Sequence, residues 1–181
     1  EGGKSGSWRH PEHTPASALA GLACAVVTVS DRCTAGKAED RSGPALLGHL
    51  KAAGATLARE ASVLVADEPN DIRRAIQMLI AEHGARLILT TGGTGLSPRD
   101  VTPEALAPLW TRRIPGLGEL LRKAGSAQTP MSWISRSEAG LIGTTLVVAI
   151  PGSLGAVNDG WNVLAPILPH ALAITEGGTH A

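Results

Sequence analysis

Short runs of buried-strand character alternate with amphipathic stretches along most of this chain. Ala25-Val26-Val27-Thr28-Val29 is a continuous, largely β-branched apolar run, the pattern of a strand covered on both faces. Ser30-Asp31-Arg32 ends it, and a polar loop leads to Ser42. Gly43-Pro44 opens a helix in which Leu46, Leu47, Leu50 and Ala53 recur at helical spacing, and Gly54 closes it. Ala61 to Val65 reads as a second strand, followed by Asp67-Glu68-Pro69. Asn70 is read as the N-cap of a helix over 71–82, with Ile72, Ala75, Ile76, Leu79 and Ile80 on one stripe. Leu87 to Thr91 is the third strand. Thr102 as cap, Pro103 in the first turn and Glu104 beside the helix dipole predict a helix running to about residue 112. Another helix is expected over Leu117 to Lys123 and a short strand over Ser132 to Ile134. Thr145 to Ile150 is a strong strand that stops at Pro151-Gly152-Ser153. An apolar helix is expected from about Ala156, which Pro166 and Pro169 must kink or divide.

Strand alternating with helix four times predicts an α/β fold in a single domain, a three-layer αβα sandwich with a mainly parallel sheet. The domain is expected over residues 23–178. Residues 1–22 open polar and rich in Gly, Ser and His, without the charged-then-apolar order of a signal peptide, and are read as a flexible N-terminal arm.

Composition narrows the function classes. Sixteen Lys and Arg balance sixteen Asp and Glu, so there is no global pull toward nucleic acid or a membrane surface. Phe and Tyr are absent and only four Trp are present, which leaves little surface for base stacking. No stretch approaches the roughly 18 apolar residues of a membrane span. Neither nucleic acid nor membrane is therefore an expected partner. Cys24 and Cys33 match no common zinc or redox spacing and are expected to be reduced thiols in a cytoplasmic protein.

In an open α/β sheet, ligands bind beyond the carboxyl ends of the strands. The residues that follow the predicted strands are Ser30-Asp31-Arg32, Asp67-Glu68, the turn Gly92-Gly93-Thr94-Gly95 with Asp100, and Pro151-Gly152-Ser153. Together they form a rim of carboxylates and backbone N–H groups, the donor set of a phosphate site with Mg²⁺. The turn is not a P-loop, because no Gly-Lys-Ser/Thr follows, and it is not a G-x-G-x-x-G dinucleotide fingerprint. Ser97 has neither a G-x-S-x-G context nor a nearby histidine, which argues against a hydrolase nucleophile. Asp31 and Asp40 are read as structural or peripheral, and His49, His83 and His170 as surface or interface residues.

The segment TTGGTGLSPRDVTPEA closely resembles the signature of the molybdenum-cofactor biosynthesis family of MogA and MoaB proteins, related to a gephyrin domain. The likeness continues in VTVSDRCTAGKAEDRSGP, VADEPNDI, RRIPGLGELLR, SWISRSEAG and TTLVVAIPGSLGAV, six blocks in order over residues 24–176. The resemblance implies a homotrimeric α/β protein that joins AMP from Mg-ATP to the terminal phosphate of molybdopterin, releases pyrophosphate and hands the product to a molybdenum-inserting enzyme. The acids that match the family's catalytic pair are Asp67 and Asp100, which are also expected to hold Mg²⁺. Thr91, Gly92, Gly93, Thr94, Gly95, Ser97 and Thr102 are expected to line the substrate pocket with Pro151, Gly152 and Ser153. Arg99, Ser135 and Arg136 are candidates for anchoring the pterin side, and Asp40 and Ser42 for the nucleotide or trimer side. Two positions depart from active relatives: Ala149 stands where Asn is frequent, and Gly125 where a polar residue is frequent. These departures keep open a non-catalytic molybdopterin carrier of the same fold. A scaffold that uses the fold only for assembly finds no second domain or long linker in this sequence to support it.

Overall fold

Successive residues of a strand point to opposite faces, and here both faces are apolar. In β1 (Ala23–Val29), Cys24 and Val26 join one core cluster while Ala25, Val27 and Val29 join another. Strand β3 (Leu87–Thr91) and strand β6 (Thr145–Ile150) split the same way: Leu87, Leu89, Leu146, Val148 and Ile150 face the first cluster, Ile88, Val147 and Ala149 the second. The computed structural model describes residues 15–177, and it shows the helices that cover those two faces. Helices α2 (Ser42–Ala52), α5 (Pro115–Ser126), α6 (Leu154–Leu164) and α7 (Leu168–Thr175) contribute Leu46, Leu50, Leu121, Trp161, Leu164 and Leu168 to the first. Helices α3 (Pro69–Ala81) and α4 (Thr102–Leu106) contribute Ile72, Ile76, Leu79 and Leu106 to the second. The result is the expected three-layer α/β domain.

The sheet runs β2-β1-β3-β6-β5-β4, with β2 (Thr56–Val65), β1, β3 and β6 parallel. Strands β4 (Arg112–Arg113) and β5 (Glu138–Ile142) add an antiparallel edge. From β1 the chain moves first to β2 on one side and then to β3 on the other. That reversal makes the carboxyl ends of β1 and β3 the switch point where an open sheet leaves a crevice.

Several local expectations are corrected. Ser132 to Ile134 is no strand but part of a 3-10 helix over Pro130–Ile134, started by Thr129, whose side chain accepts from the Met131 N–H. Strand β5 follows instead, in a hairpin turned by Gly143 at φ +61. The second strand is longer than expected, beginning at Thr56, with a register shift against β1 between Cys24 and Val26. Asn70 is not a cap: α3 begins at Pro69 after Glu68, and the Asn70 amide oxygen accepts from Arg73. The helix expected to reach residue 112 ends at Leu106. The proline pair does divide the last helix, into α6 and α7. Of the arm expected over residues 1–22, residues 1–14 lie outside the described part, while Leu19 is buried in the first core cluster and its N–H donates to the Ala53 carbonyl. Among the described residues, no helix is long and apolar enough to cross a membrane.

The two thiols differ in environment. Burial pushes the Cys24 thiol up to about 12, whereas Cys33 is half-buried on the short helix α1 (Asp31–Thr34). Attack on a disulfide probe needs thiolate. In native buffer Ellman's reagent should therefore label Cys33 and spare Cys24 until denaturant is added. Equal native rates for both thiols would contradict this packing.

Candidate functional site

The crevice is shaped first by backbone. Gly92 and Gly93 follow β3 with φ of +100 and +70, a region that side chains disfavour. The Gly92 N–H donates to the Ile150 carbonyl at 3.0 Å, and the Gly92 carbonyl accepts the buried Thr102 hydroxyl at 2.9 Å. A Cβ on Gly92 would collide with the Val29 carbonyl oxygen at the end of β1. The turn is thus pressed between β1, β6 and α4. Its open side bounds a cavity of about 370 Å³ whose walls include Gly92, Gly93, Thr94, Gly95, Asp100, Ser135, Pro151 and Gly152.

Two acids are held against this turn, each with one oxygen occupied. Asp67 is buried; its Oδ2 accepts the Asp31 N–H at 2.8 Å, while its Oδ1 lies 3.2 Å from where a Gly93 Cβ would stand. Asp100 Oδ2 accepts the Ser97 N–H at 2.9 Å and lies 2.6 Å from where a Gly95 Cβ would stand. The missing side chain of Gly95 makes the room for Asp100, whereas a Cβ on Gly93 would first overlap the Thr102 hydroxyl and would crowd Asp67 only secondarily. Desolvation pushes the Asp67 carboxyl up; the Asp31 N–H pulls it down, and the neighbouring charges of Asp31 and Asp100 push it up again. Asp31 itself is held below the usual carboxylate range, first by its hydrogen bond with Arg99.

Two further cavities flank the central one. The first, about 310 Å³, shares Gly92 and Gly152 with it and is walled by Thr28, Ser30, Cys33, Asp40, Ser42 and Thr91. The second, about 490 Å³, shares Met131, Ser135 and Pro151 and is walled by Gly125, Gln128, Ser132, Ser153 and Asp159. An elongated ligand with its charged middle at the glycine turn would have a compartment on either side.

The residues singled out in the sequence divide into those that face these cavities and those that build them. Thr91, Gly92, Gly93, Thr94, Gly95, Asp100, Ser135, Pro151, Gly152 and Ser153 line one or another of the three. Ser153 also caps α6 by accepting the Ala156 N–H, and the Thr91 hydroxyl donates to the Pro151 carbonyl. Thr102 is not the cap of α4, which is Val101; its buried hydroxyl instead braces Gly92. Ser97 is exposed and serves the loop, its N–H on Asp100 and its Oγ accepting the Arg99 N–H at 3.3 Å. The two arginines expected to anchor substrate are both occupied by protein. Arg136 donates to the carbonyls of Gly95 at 2.8 Å and Asp100 at 2.6 Å and pairs with Glu104. Arg99 pairs with Asp31 and Glu68 and lines none of the three cavities. Ser42 donates to the Gly152 carbonyl at 2.6 Å and Asp40 accepts the Gly43 N–H, so both steady the wall of the 310 Å³ cavity. Leu96, Met131 and Ile134 border the central cavity although all three are exposed, which no sequence periodicity signals. His49 stacks on Trp161 at 5.3 Å between α2 and α6, away from the acids.

The two departures from the family pattern prove different in kind. Ala149 is fully buried on the α3–α4 face and lines none of the three cavities. Its parallel neighbour in β3 is Thr90, whose buried hydroxyl has no hydrogen-bond partner among the described residues. An asparagine amide at position 149 would supply that partner. Ala149→Asn should therefore be less destabilising than Val147→Asn on the same face by about 1–2 kcal/mol, the worth of satisfying a buried polar pair, in urea unfolding. Equal losses would mean that Thr90 and position 149 do not meet. Gly125 does border the 490 Å³ cavity, but a Cβ there would overlap Ser132, whose hydroxyl donates to the Arg122 carbonyl at 2.8 Å. A side chain at 125 would therefore require the Ser132 side chain to move and give up its bond to Arg122.

Comparison with known proteins gives consistent results. A family model described as a probable molybdopterin binding domain matches residues 25–170. A molybdenum cofactor biosynthesis bifunctional protein of Synechococcus elongatus is 50% identical over 183 residues, covering 99% of this chain and 56% of the relative, so this chain spans about half that protein's length. A molybdopterin adenylyltransferase of Helicobacter pylori is 31% identical, covering 84% of this chain and 86% of the relative. Among solved structures, a MoaB of Thermus thermophilus superposes with TM-score 0.78 at 40% identity, covering 86% of this chain and 97% of the other. A MogA structure gives TM-score 0.79 at 38% identity, covering 84% and 99%.

Proposed function

Because the chain belongs to the molybdopterin-binding MogA/MoaB family of molybdenum cofactor biosynthesis, we propose that it is a molybdopterin adenylyltransferase. The observation that carries this reading is that Asp67 and Asp100 both stand against one glycine turn, Asp100 lining its cavity and Asp67 beside Gly93 outside the lining. In the reaction an oxygen of the pterin's terminal phosphate attacks the α-phosphorus of ATP. The bond between α-phosphorus and bridging oxygen breaks, and pyrophosphate leaves. Such transfers ask a protein for positioning and charge balance more than for covalent chemistry.

Each residue has a role that its position supports. The backbone of Gly92, Gly93 and Gly95 lets anionic oxygens approach without side-chain obstruction. Asp67 Oδ1 lies beside Gly93, and Asp100, whose Oδ2 takes the Ser97 N–H, has Oδ1 3.8 Å from where a Gly95 Cβ would stand. Two carboxylates are a hard donor set that fits Mg²⁺, which takes one or two of them and otherwise binds water and substrate phosphate. When bound, that ion would neutralise the polyphosphate and orient it. The flanking cavities would take the nucleotide and the pterin. A homotrimer, a cytoplasmic location and a transient contact with a molybdenum-inserting enzyme belong to the same proposal.

Incubation with molybdopterin, ATP and Mg²⁺ should yield adenylylated pterin and pyrophosphate. Folded protein that makes no product from verified molybdopterin would overturn the assignment. The carrier alternative keeps one motivation, the bare Gly125 wall; it predicts calorimetric binding of molybdopterin with no ATP consumed.

A further inference from the structure

Arg99 directly precedes Asp100 but turns away from the cavity. Its Nε donates to Asp31 Oδ2 at 2.9 Å and its Nη2 to Asp31 Oδ1 at 3.1 Å, a two-pronged grip on one carboxylate. The same Nη2 donates to Glu68 Oε1 at 2.9 Å. Asp31 and Asp67 exchange bonds in turn: the Asp31 N–H donates to Asp67 Oδ2 at 2.8 Å, and the Asp67 N–H to Asp31 Oδ1 at 2.9 Å. An unbroken chain of short contacts therefore runs from the loop that carries Asp100 to the strand end that carries Asp67. It joins the ends of β1, β2 and β3.

The loop needs such a tie. Between Gly95 and Asp100, residues Leu96, Ser97, Pro98 and Arg99 are all exposed, and the loop's own hydrogen bonds among Ser97, Arg99 and Asp100 are local. Arg136 holds the loop from the β5 side, through the Gly95 and Asp100 carbonyls. On the β1 and β2 side, Arg99 supplies the side-chain hydrogen bonds found among the described residues. A guanidinium suits the task because its planar fork meets a carboxylate with two N–H groups and still has others to offer, which an ammonium cannot do in one geometry.

We propose that Arg99 and Asp31 form a clasp that fixes the spacing of Asp67 and Asp100, making both positioning residues rather than substrate contacts. The proposal rests on the reading of Asp67 and Asp100 as the reacting pair. It assigns work to a residue otherwise expected to anchor the pterin, and to an aspartate otherwise read as peripheral.

The test compares Arg99→Gln, Arg99→Lys, Asp31→Asn and the Arg99→Gln/Asp31→Asn double variant of the full chain. Amide hydrogen exchange should rise about tenfold over residues 94–101 and 66–68 in either single variant, and no further in the double, because coupled residues are non-additive. Exchange in α7 should not change. In adenylylation, kcat should fall about tenfold with KM for ATP and for molybdopterin held within about twofold, and Arg99→Lys should recover only part of the loss. A rise in KM at unchanged kcat would make Arg99 a substrate anchor. Multiplying effects in the double variant, or unchanged exchange, would remove the clasp. Hydrogen exchange decides the clasp even if the wild-type protein proves inactive, so its failure and that of the enzymatic reading are separable.

Discussion

Gly92→Ala should cost roughly 3 kcal/mol or more, because a non-glycine residue in the left-handed region meets fixed backbone as well as torsional strain. For a domain of this size that is a fall in Tm of about 6–12 °C. The strain alone does not explain so large a value. Gly84 also has a positive φ, +60, but a Cβ there meets nothing within 4 Å. Gly84→Ala should therefore cost only about 1–2 kcal/mol, the penalty of left-handed backbone by itself. At Gly92 the new methyl would run into the Val29 carbonyl oxygen, whose carbon is 3.3 Å away. That carbonyl belongs to the central parallel sheet and has nowhere to retreat. On the other side Gly152 packs so closely that its own Cβ would lie 3.2 Å from the Gly92 Cα. Urea and thermal unfolding of the two variants measure the difference. If Gly92→Ala were no worse than Gly84→Ala, the turn would not be wedged between β1 and β6 as described.

The acids should show the opposite pattern, with activity lost and stability kept. Asp67→Asn and Asp100→Asn should each lower turnover by roughly 10³-fold, the scale seen when one preorganised electrostatic contact to the reacting group is removed. Both amides retain an oxygen to accept the N–H of Asp31 or Ser97, so the surrounding geometry has no reason to collapse. For Asp67 the sign of the stability change follows from its environment. Desolvation raises its folded-state pKa above the ordinary 3.8, so the fold disfavours the charged form. Below the unfolded pKa both states are protonated and no penalty exists. As pH rises through the folded pKa, the wild type loses stability that Asp67→Asn does not lose. The variant should therefore equal the wild type in acid and match or exceed it at neutral pH. A variant that instead lost stability relative to wild type on going from acid to neutral pH would mean that the Asp67 charge is a net structural contact. Buried charge retained at a cost to stability is what a functional carboxylate is expected to show.

Much of this site is legible in the chain. The run of Gly92, Gly93 and Gly95 after an apolar strand locates a tight turn at a strand's carboxyl end, and Gly92 and Gly93 do take positive φ. Asp67 follows the end of β2, and Asp100 lies in the same loop as the glycine turn after β3, so parallel topology alone brings Asp67 to the turn's edge. Less legible is the task of each side chain there. Arg99 and Thr102, beside the turn, and Arg136 and Ser42, through the family resemblance, all look like ligand contacts in the sequence. In the fold their donors are occupied by Asp31, by the Gly95 and Asp100 carbonyls, by Gly92 and by Gly152. Those partners come from other segments, up to 110 residues away in the case of Ser42. Strand β5 is equally silent in the sequence, for a related reason. Its hydrogen bonds go to β6 and β4, and a five-residue segment with two small residues carries little propensity of its own.

The architecture is written in the local pattern of the chain: apolar strands covered on both faces, amphipathic helices between them, and a glycine turn where one strand ends. Those features act through periodicity and backbone sterics, which need no partner to be specified. Which rim residues face a ligand and which hold the rim together emerged from long-range packing alone. The same packing placed Ala149 against Thr90 rather than in a cavity, because β6 is apolar on both faces and its pattern cannot say which one looks toward the site. A hydrogen bond belongs to two residues, and along this rim the second comes from another part of the chain.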